Sequence, residues 1–240
     1  MTLGEFITAL GYLTGIAVYL YVAKRRKLLT EGMFFVACWA IAGGLVGAKL
    51  GEFLAEGWPI SISPLTIFDA TVGGRALLGG LLGGWVAAEI AKRRMGIKRP
   101  TGDLFAYALS AGEAVGRIGC YFNGCCYGKA TTFPIVIYQH GAWRHPTQLY
   151  SSATAAIIFL ILLAMRKHVA KDGDLFRVYL LCFGITRFLI EFLREGKPAL
   201  WGLTAMQWLC IDLAFAGAVG LALSIRNRPR PTVFAKDSIH

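Results

Sequence analysis

The amino-acid sequence predicts an all-α polytopic membrane protein with seven transmembrane helices, and three observations carry that expectation. The 240 residues are 56% hydrophobic and only 16% charged, with a mean hydropathy of +0.56. Few soluble domains have such a composition. Seven apolar runs approach the roughly 20 residues that cross a bilayer as a helix. The basic clusters fall after every second run, as expected of cytoplasmic loops under the positive-inside rule. A formal net charge of +11 would suggest nucleic acid in a soluble protein. Here the basic loops account for it, and no nucleic-acid partner is expected.

The first span runs from Leu3 to Ala23 and is closed by Lys24-Arg25-Arg26-Lys27. No basic residue precedes it and no small-residue cleavage site follows, so a cleavable signal is not expected. The second span, Met33 to Leu54, carries Gly43, Gly47 and Gly51 at four-residue spacing. Such spacing lets two helix backbones touch in lipid. A connection from Ala55 to Val72 has no Lys or Arg. The third span, Gly73 to Ile90, holds Gly79, Gly80, Gly83 and Gly84 and is followed by Lys92, Arg93, Arg94, Lys98 and Arg99.

The fourth span, Asp103 to Phe122, leads into a polar stretch, 123–146, expected to form a small folded loop outside the bilayer. The fifth is Leu149 to Met165, followed by Arg166, Lys167 and Lys171. The sixth is Leu175 to Leu193, ending in Arg194-Glu195-Gly196-Lys197, and the seventh is Leu203 to Ile225, followed by Arg226, Arg228 and Arg230. The alternation of basic loops places the N-terminus outside and the C-terminus in the cytoplasm. Residues 1–227 are expected to form one transmembrane domain, with 228–240 a disordered cytoplasmic tail.

Three polar sets interrupt the apolar pattern. Glu113 and Arg117 lie four residues apart on one helical face, with Asn123 beyond them. His145-Pro146-Thr147-Gln148-Leu149-Tyr150 opens the fifth span. Arg187, Glu191 and Arg194, at offsets of four and three, share a face of the sixth. Ionisable residues at membrane depth are costly and mark a functional site by default. Arginines converging near headgroup depth suit an anionic phosphate, because the guanidinium fork holds its oxygens bidentately. The glycines Gly119, Gly124 and Gly128 would let backbone approach a headgroup closely. The residues alone therefore point to a phospholipid headgroup site. Alternatives stay open at each set: the ion pairs would also serve as structural pairs that fix helix register. His145 would also cap the fifth span, and Tyr150, Trp201 and Trp208 would also serve as interfacial aromatics. The run of paired glycines reads as helix packing rather than catalysis.

Six cysteines are present, and most lie in apolar segments, where they behave as small core residues. Cys120, Cys125 and Cys126 form a C-x4-C-C cluster open to three readings: a disulfide, a metal site or inert packing. The spacing matches no standard zinc pattern, so neither a metal nor a cofactor is expected.

The fragments GRIGCYFNGCCYG, ALLGGLLGG, HPTQLY and RFLIEFLRE, in this order, resemble the prolipoprotein diacylglyceryl transferase family, and the likeness covers most of the chain. It implies an enzyme of the bacterial plasma (inner) membrane, multi-pass and monomeric. Such an enzyme moves the diacylglyceryl group of phosphatidylglycerol to the thiol of a lipobox cysteine in a prolipoprotein, releasing glycerol phosphate. By position, the resemblance makes Arg117 the lipid-phosphate arginine and Arg187 the essential arginine of the sixth span, and it places His145 and Tyr150 in the H-P-x-Q-L-Y motif. In the mechanism expected here, His145 or Tyr150 relays the proton of the acceptor thiol. Asn123, Gly128, Gln148, Glu191 and Arg194 match substrate-binding positions. The chain departs from the family pattern where Cys120 stands for a usual asparagine and Cys125 for a usual glutamate. It departs again where Leu78 replaces a frequent histidine and Phe183 a common tyrosine. These departures leave two rivals: a lipid-binding protein without chemistry, and a thiol enzyme using Cys120, Cys125 or Cys126.

Overall fold

The computed structural model describes residues 2–28, 31–56, 77–97, 100–167, 169, 171–195 and 201–227. Among these residues the chain forms seven α-helices and one β-hairpin. The helices are α1 (Leu3–Arg25), α2 (Glu31–Glu56), α3 (Leu77–Arg94), α4 (Gly102–Phe122), α5 (Thr147–Met165), α6 (Asp174–Phe192) and α7 (Ala205–Arg226). Each covers one expected span, with ends displaced by at most four residues. Most of the expected 55–72 connection, the start of the third span, Lys98, Arg99, Lys197 and the 228–240 tail lie outside the described residues.

Four helical segments are long and apolar enough to cross a membrane by length and composition: Leu3–Arg25, Glu31–Leu50, Thr147–Met165 and Met206–Arg226. The other three helices carry more charge. Helix α3 ends in Lys92, Arg93 and Arg94. Helix α4 includes Asp103, Glu113 and Arg117, and α6 includes Asp174, Arg177, Arg187 and Glu191. Two of these charged helices, α4 and α6, carry the ionisable sets, and the HPTQLY set opens the apolar helix α5.

The chain divides into two compact units. One comprises Ala17–Pro100, the other Met1–Ile16 together with Thr101–His240. In the first, α2 packs along α3 through the glycines. A Cβ at Gly83 would lie 2.3 Å from the carbonyl oxygen of Gly43, and one at Gly47 would lie 2.1 Å from that of Gly79. No side chain fits at that approach, which is how helices gain van der Waals contact where lipid offers no hydrophobic drive. Tyr19 closes this unit by donating its hydroxyl to the Met33 carbonyl at 3.2 Å.

In the second unit α4 packs against α5 and α6, and α6 against α7. The first half of α1 reaches α4 at small residues, where a Cβ on Gly11 would lie 2.7 Å from the Cα of Gly116. Leu104, Tyr107 and Leu162 are sealed in the core, and the Tyr107 hydroxyl donates to the Leu162 carbonyl at 3.1 Å. The buried carboxylate of Asp103 accepts the backbone N–H of Phe176 at 3.0 Å, satisfying one of the free donors at the start of α6. Thr204 and Gln207 cap α7 reciprocally, each side chain accepting the other's backbone N–H.

Between α4 and α5, β1 (Ile137–Gln139) pairs antiparallel with β2 (Ala142–Arg144). His140 and Gly141 form the two-residue turn with φ of 51° and 75°. Two left-handed residues give the turn whose twist matches a hairpin. Isolated bridges join Gly128 to Arg194 and Ala130 to Arg144, so the loop folds back on the end of α6.

Because the glycine contacts are backbone to backbone, Gly83→Val should lower the thermal midpoint in detergent, at a cost of about 1–3 kcal/mol or more from overpacking. Gly116→Ala, where an added Cβ meets nothing within 4 Å, should leave it nearly unchanged. Equal midpoints for both variants would contradict this packing.

Candidate active site between the arginine helices

Helices α4 and α6 each present an acid and an arginine one turn apart. On α4 the Arg117 Nε donates to Glu113 Oε1 at 3.0 Å, with both side chains largely covered. On α6 the Arg187 Nη2 lies 2.8 Å from Glu191 Oε2, and the same oxygen is 3.6 Å from Arg194 Nη1. One carboxylate oxygen thus faces two guanidiniums, at ion-pair distance and without hydrogen-bond alignment to either. The side chain of Arg187 is 4% exposed and that of Glu191 8%. A single carboxylate cannot saturate a fork of five N–H donors. Arg187 Nε and Nη1 have no hydrogen-bond partner among the described residues. A buried donor of this kind carries a desolvation cost until an acceptor reaches it.

The two helices meet at a cavity of ≈ 10 Å³, lined by Glu113 of α4, Ser151 and Thr154 of α5, and Phe183, Thr186 and Arg187 of α6. The volume is about the least that admits one water molecule. The charges of Arg194, Glu191, Arg117 and Glu113 all act on Arg187. Glu113 of α4 and Arg187 of α6 thus line one cavity. Phe183, read from the sequence as a departure, lines it.

The loop after α4 brings a second group of side chains together. The sulfurs of Cys120, Cys125 and Cys126 lie within 4.8 Å of one another, and all three are free thiols. The carbonyls of this loop are clamped from α5 and the hairpin. Thr147 Oγ1 donates to the Cys126 carbonyl at 2.8 Å, and Gln148 Nε2 to the Cys125 carbonyl at 2.8 Å. His140 Nε2 lies 2.7 Å from the Gly124 carbonyl. Cys126 takes a left-handed φ of 62°, uncommon for a residue with a Cβ. Hydrogen bonds with Cys120 and Cys125, together with the guanidiniums of Arg194 and Arg117, push the Cys126 thiol below the ordinary thiol range. Hydrogen bonds with Cys120 and Cys126 push that of Cys125 above it.

The other predicted residues have clear positions. Gln148 is 1% exposed, and its amide is engaged with the cysteine loop and with Gln139 Oε1 at 3.2 Å. Gly128 is wedged where a Cβ would lie 2.7 Å from both the His145 Cβ and the Leu193 carbonyl oxygen. Asn123 is exposed and accepts from Thr2 Oγ1 at 3.2 Å, tying the end of α4 to the start of α1. The His145 ring lies tilted against those of Phe133 and Tyr150, with centroids at 5.8 and 6.3 Å, and its Nδ1 is buried without a partner among the described residues. The Tyr150 hydroxyl donates to the Ile135 carbonyl at 3.4 Å. The sequence reading missed Thr147 as a clamp and Ser151, Thr154 and Thr186 as cavity residues. Hydroxyls at offsets of three on an apolar helix were the available signal. Leu78 belongs to α3, but its side chain lies outside what is described.

Replacing Gln148 with leucine should leave the half-buried Cys125 carbonyl without its donor, at a cost of about 1 kcal/mol. The expected readouts are a lower thermal midpoint and faster maleimide labelling of Cys125 and Cys126. Unchanged labelling would show that the clamp does not hold the loop.

A family model described as prolipoprotein diacylglyceryl transferase matches residues 5–223. Similar proteins carry the name phosphatidylglycerol–prolipoprotein diacylglyceryl transferase. One from a Nostoc species is 31% identical over 97% of this chain and 89% of its own length. One from Pseudomonas aeruginosa is 32% identical over 90% and 88%, and one from Finegoldia magna 30% identical over 91% and 89%.

Proposed function

The chain belongs to the prolipoprotein diacylglyceryl transferase family, and from that premise we propose that it transfers the diacylglyceryl group of phosphatidylglycerol to the lipobox cysteine of a prolipoprotein. A thioether forms between that sulfur and C3 of the lipid glycerol. The C3–oxygen bond breaks, and glycerol phosphate leaves. The names of the relatives favour this transferase over a lipid-binding protein without chemistry.

The observation that carries the mechanism is the buried guanidinium of Arg187, with two nitrogens unpartnered among the described residues. In this reading they receive phosphate oxygens of the lipid, and Arg117 meets the same phosphate from α4. As the C–O bond lengthens, negative charge grows on the leaving phosphate. Fixed guanidiniums stabilise that growing second charge more than the single charge of the ground-state phosphodiester. Arg194 adds to the positive field, while Glu113 and Glu191 orient the arginines and limit their mutual repulsion. The acceptor thiol attacks as thiolate. His145, with its unpartnered Nδ1, takes the proton and Tyr150 orients the ring. Asn123 and Gly128 shape the loop against which the headgroup lies, and Gln148 keeps that loop in place.

The same reading sets the protein as a monomer in the bacterial inner membrane. All seven helices span, with the N-terminus outside and the C-terminus cytoplasmic, so loop 123–146 faces the compartment where prolipoproteins arrive. The seven helices alternating with basic connections support it, and cysteine-labelling topology would test it.

The direct experiment incubates purified protein with phosphatidylglycerol and a lipobox peptide and reads a diacylglyceryl mass on the peptide thiol. Arg117→Ala and Arg187→Ala should each lower the turnover by about 10²–10³-fold, the scale for removing a transition-state donor. Arg187→Lys should recover little, because an ammonium lacks the planar fork. Near-normal transfer by Arg187→Ala would overturn the phosphate assignment.

A further inference from the structure

The three-thiol group has no part in the mechanism above, yet it is among the most organised features of the site. We infer that Cys120, Cys125 and Cys126 form a zinc site with an open fourth position that takes the acceptor cysteine of the transfer reaction. This deepens the transferase reading and rests on it.

Geometry is the first argument. Zinc–sulfur bonds of about 2.3 Å at tetrahedral angles place the sulfurs about 3.8 Å apart. Here all three lie within 4.8 Å of one another without any metal to draw them together. They come from two places in the chain, the last turn of α4 and the loop after it, so helix periodicity does not produce the convergence. The hydrogen bonds from Thr147 and Gln148 fix the carbonyls of Cys126 and Cys125 at 2.8 Å each. Supporting contacts of this kind orient metal ligands before the metal arrives.

Ligand count is the second argument. No histidine or carboxylate joins the group among the described residues. Three protein ligands with the fourth position free is the catalytic form of a zinc site, whereas structural sites close all four.

Charge is the third. Zinc with three thiolates carries a net charge of −1, and −2 once a fourth thiolate binds. Arg194 pairs through its backbone with Gly128, two residues beyond Cys126, and Arg117 lies on the same helix as Cys120, so both guanidiniums are placed to offset that charge. Cys120 lies three residues beyond Arg117 on α4, hence on the same face. A thiolate held at the fourth position would therefore sit beside the arginine assigned to the lipid phosphate.

The chemistry then closes. Thioether formation alkylates sulfur, and its requirement is a thiolate that stays nucleophilic at neutral pH. A thiol that coordinates zinc is deprotonated outright. His145 takes the acceptor S–H proton and passes it to the departing glycerol phosphate, the sulfur–C3 bond forms, and the C3–O bond breaks. Zinc undergoes no redox change.

The test uses the full-length protein, purified in detergent with a reductant, stripped with a chelator and titrated with Co(II) as a spectroscopic substitute for zinc. One cobalt per chain is expected, with a thiolate-to-cobalt charge-transfer band that strengthens when a cysteine-containing lipobox peptide is added. The matching serine peptide should leave the band unchanged. Cys126→Ser should lose the band while keeping the gel-filtration profile of the wild type. Chelated wild-type protein should lose at least tenfold in transfer and regain it with zinc. Failure to bind cobalt by protein that still transfers would overturn the zinc site and leave the transferase reading standing. A cobalt band indifferent to the cysteine peptide would overturn the acceptor role. A band that responds to the peptide with no transfer from zinc-loaded protein would instead overturn the transferase reading itself.

Discussion

The Arg187–Glu191 pair is the constraint on which the site depends. A guanidinium with 4% of its surface exposed, set in a helix otherwise rich in Leu, Ile and Phe, must have its charge answered locally. Removing one partner of such a pair leaves an uncompensated buried charge, typically about 3–5 kcal/mol unfavourable. Glu191 answers Arg187 and Arg194 together, so two positive charges share one negative. That deficit is unsuited to stability alone. It is what a site for an anion requires, since the bound anion completes a neutralisation that the protein leaves partial.

The second requirement is a rigid approach to that anion. Loop 123–146 acquires rigidity from several directions at once. Gly128 bridges to Arg194, Thr147 and Gln148 hold the cysteine carbonyls, and Arg144 ion-pairs with Glu195 and lies 4.7 Å from the Tyr127 ring centroid. The HPTQLY segment therefore serves two functions: it starts α5, and it braces the loop that follows α4. Its Thr147 and Gln148 are almost wholly buried, so their hydrogen bonds are made in a low-dielectric setting where leaving one unmade is costly.

Much of this was legible from the residues. The seven helices follow the apolar runs because length and hydrophobicity dominate helix placement in a membrane protein. The Glu113/Arg117 and Arg187/Glu191 faces followed from the helical repeat alone. Contacts made across sequence distance were not legible. A glutamine 23 residues beyond Cys125 gives no local sign that it will clamp that residue's carbonyl. The hairpin was hidden because its strands are three residues each, too short for an alternation to stand out. The glycines of α2 and α3 were read correctly as packing positions, since a four-residue spacing of small residues has one dominant physical use in lipid.

The cysteine group shows the limit most sharply. A C-x4-C-C spacing matches no zinc pattern, and from sequence alone it was equally compatible with a disulfide or inert packing. Spacing patterns presuppose that the chain between ligands is a regular turn. Here a helix end, a left-handed Gly124 and a left-handed Cys126 reverse the chain within six residues and fold three sulfurs onto one point. A non-glycine residue in that conformation persists only where its surroundings over-determine it, and such residues concentrate at functional sites. The clamp from α5 supplies that determination at Cys126. The neighbouring arginines supply the charge that three thiolates would need. Inert packing would require neither.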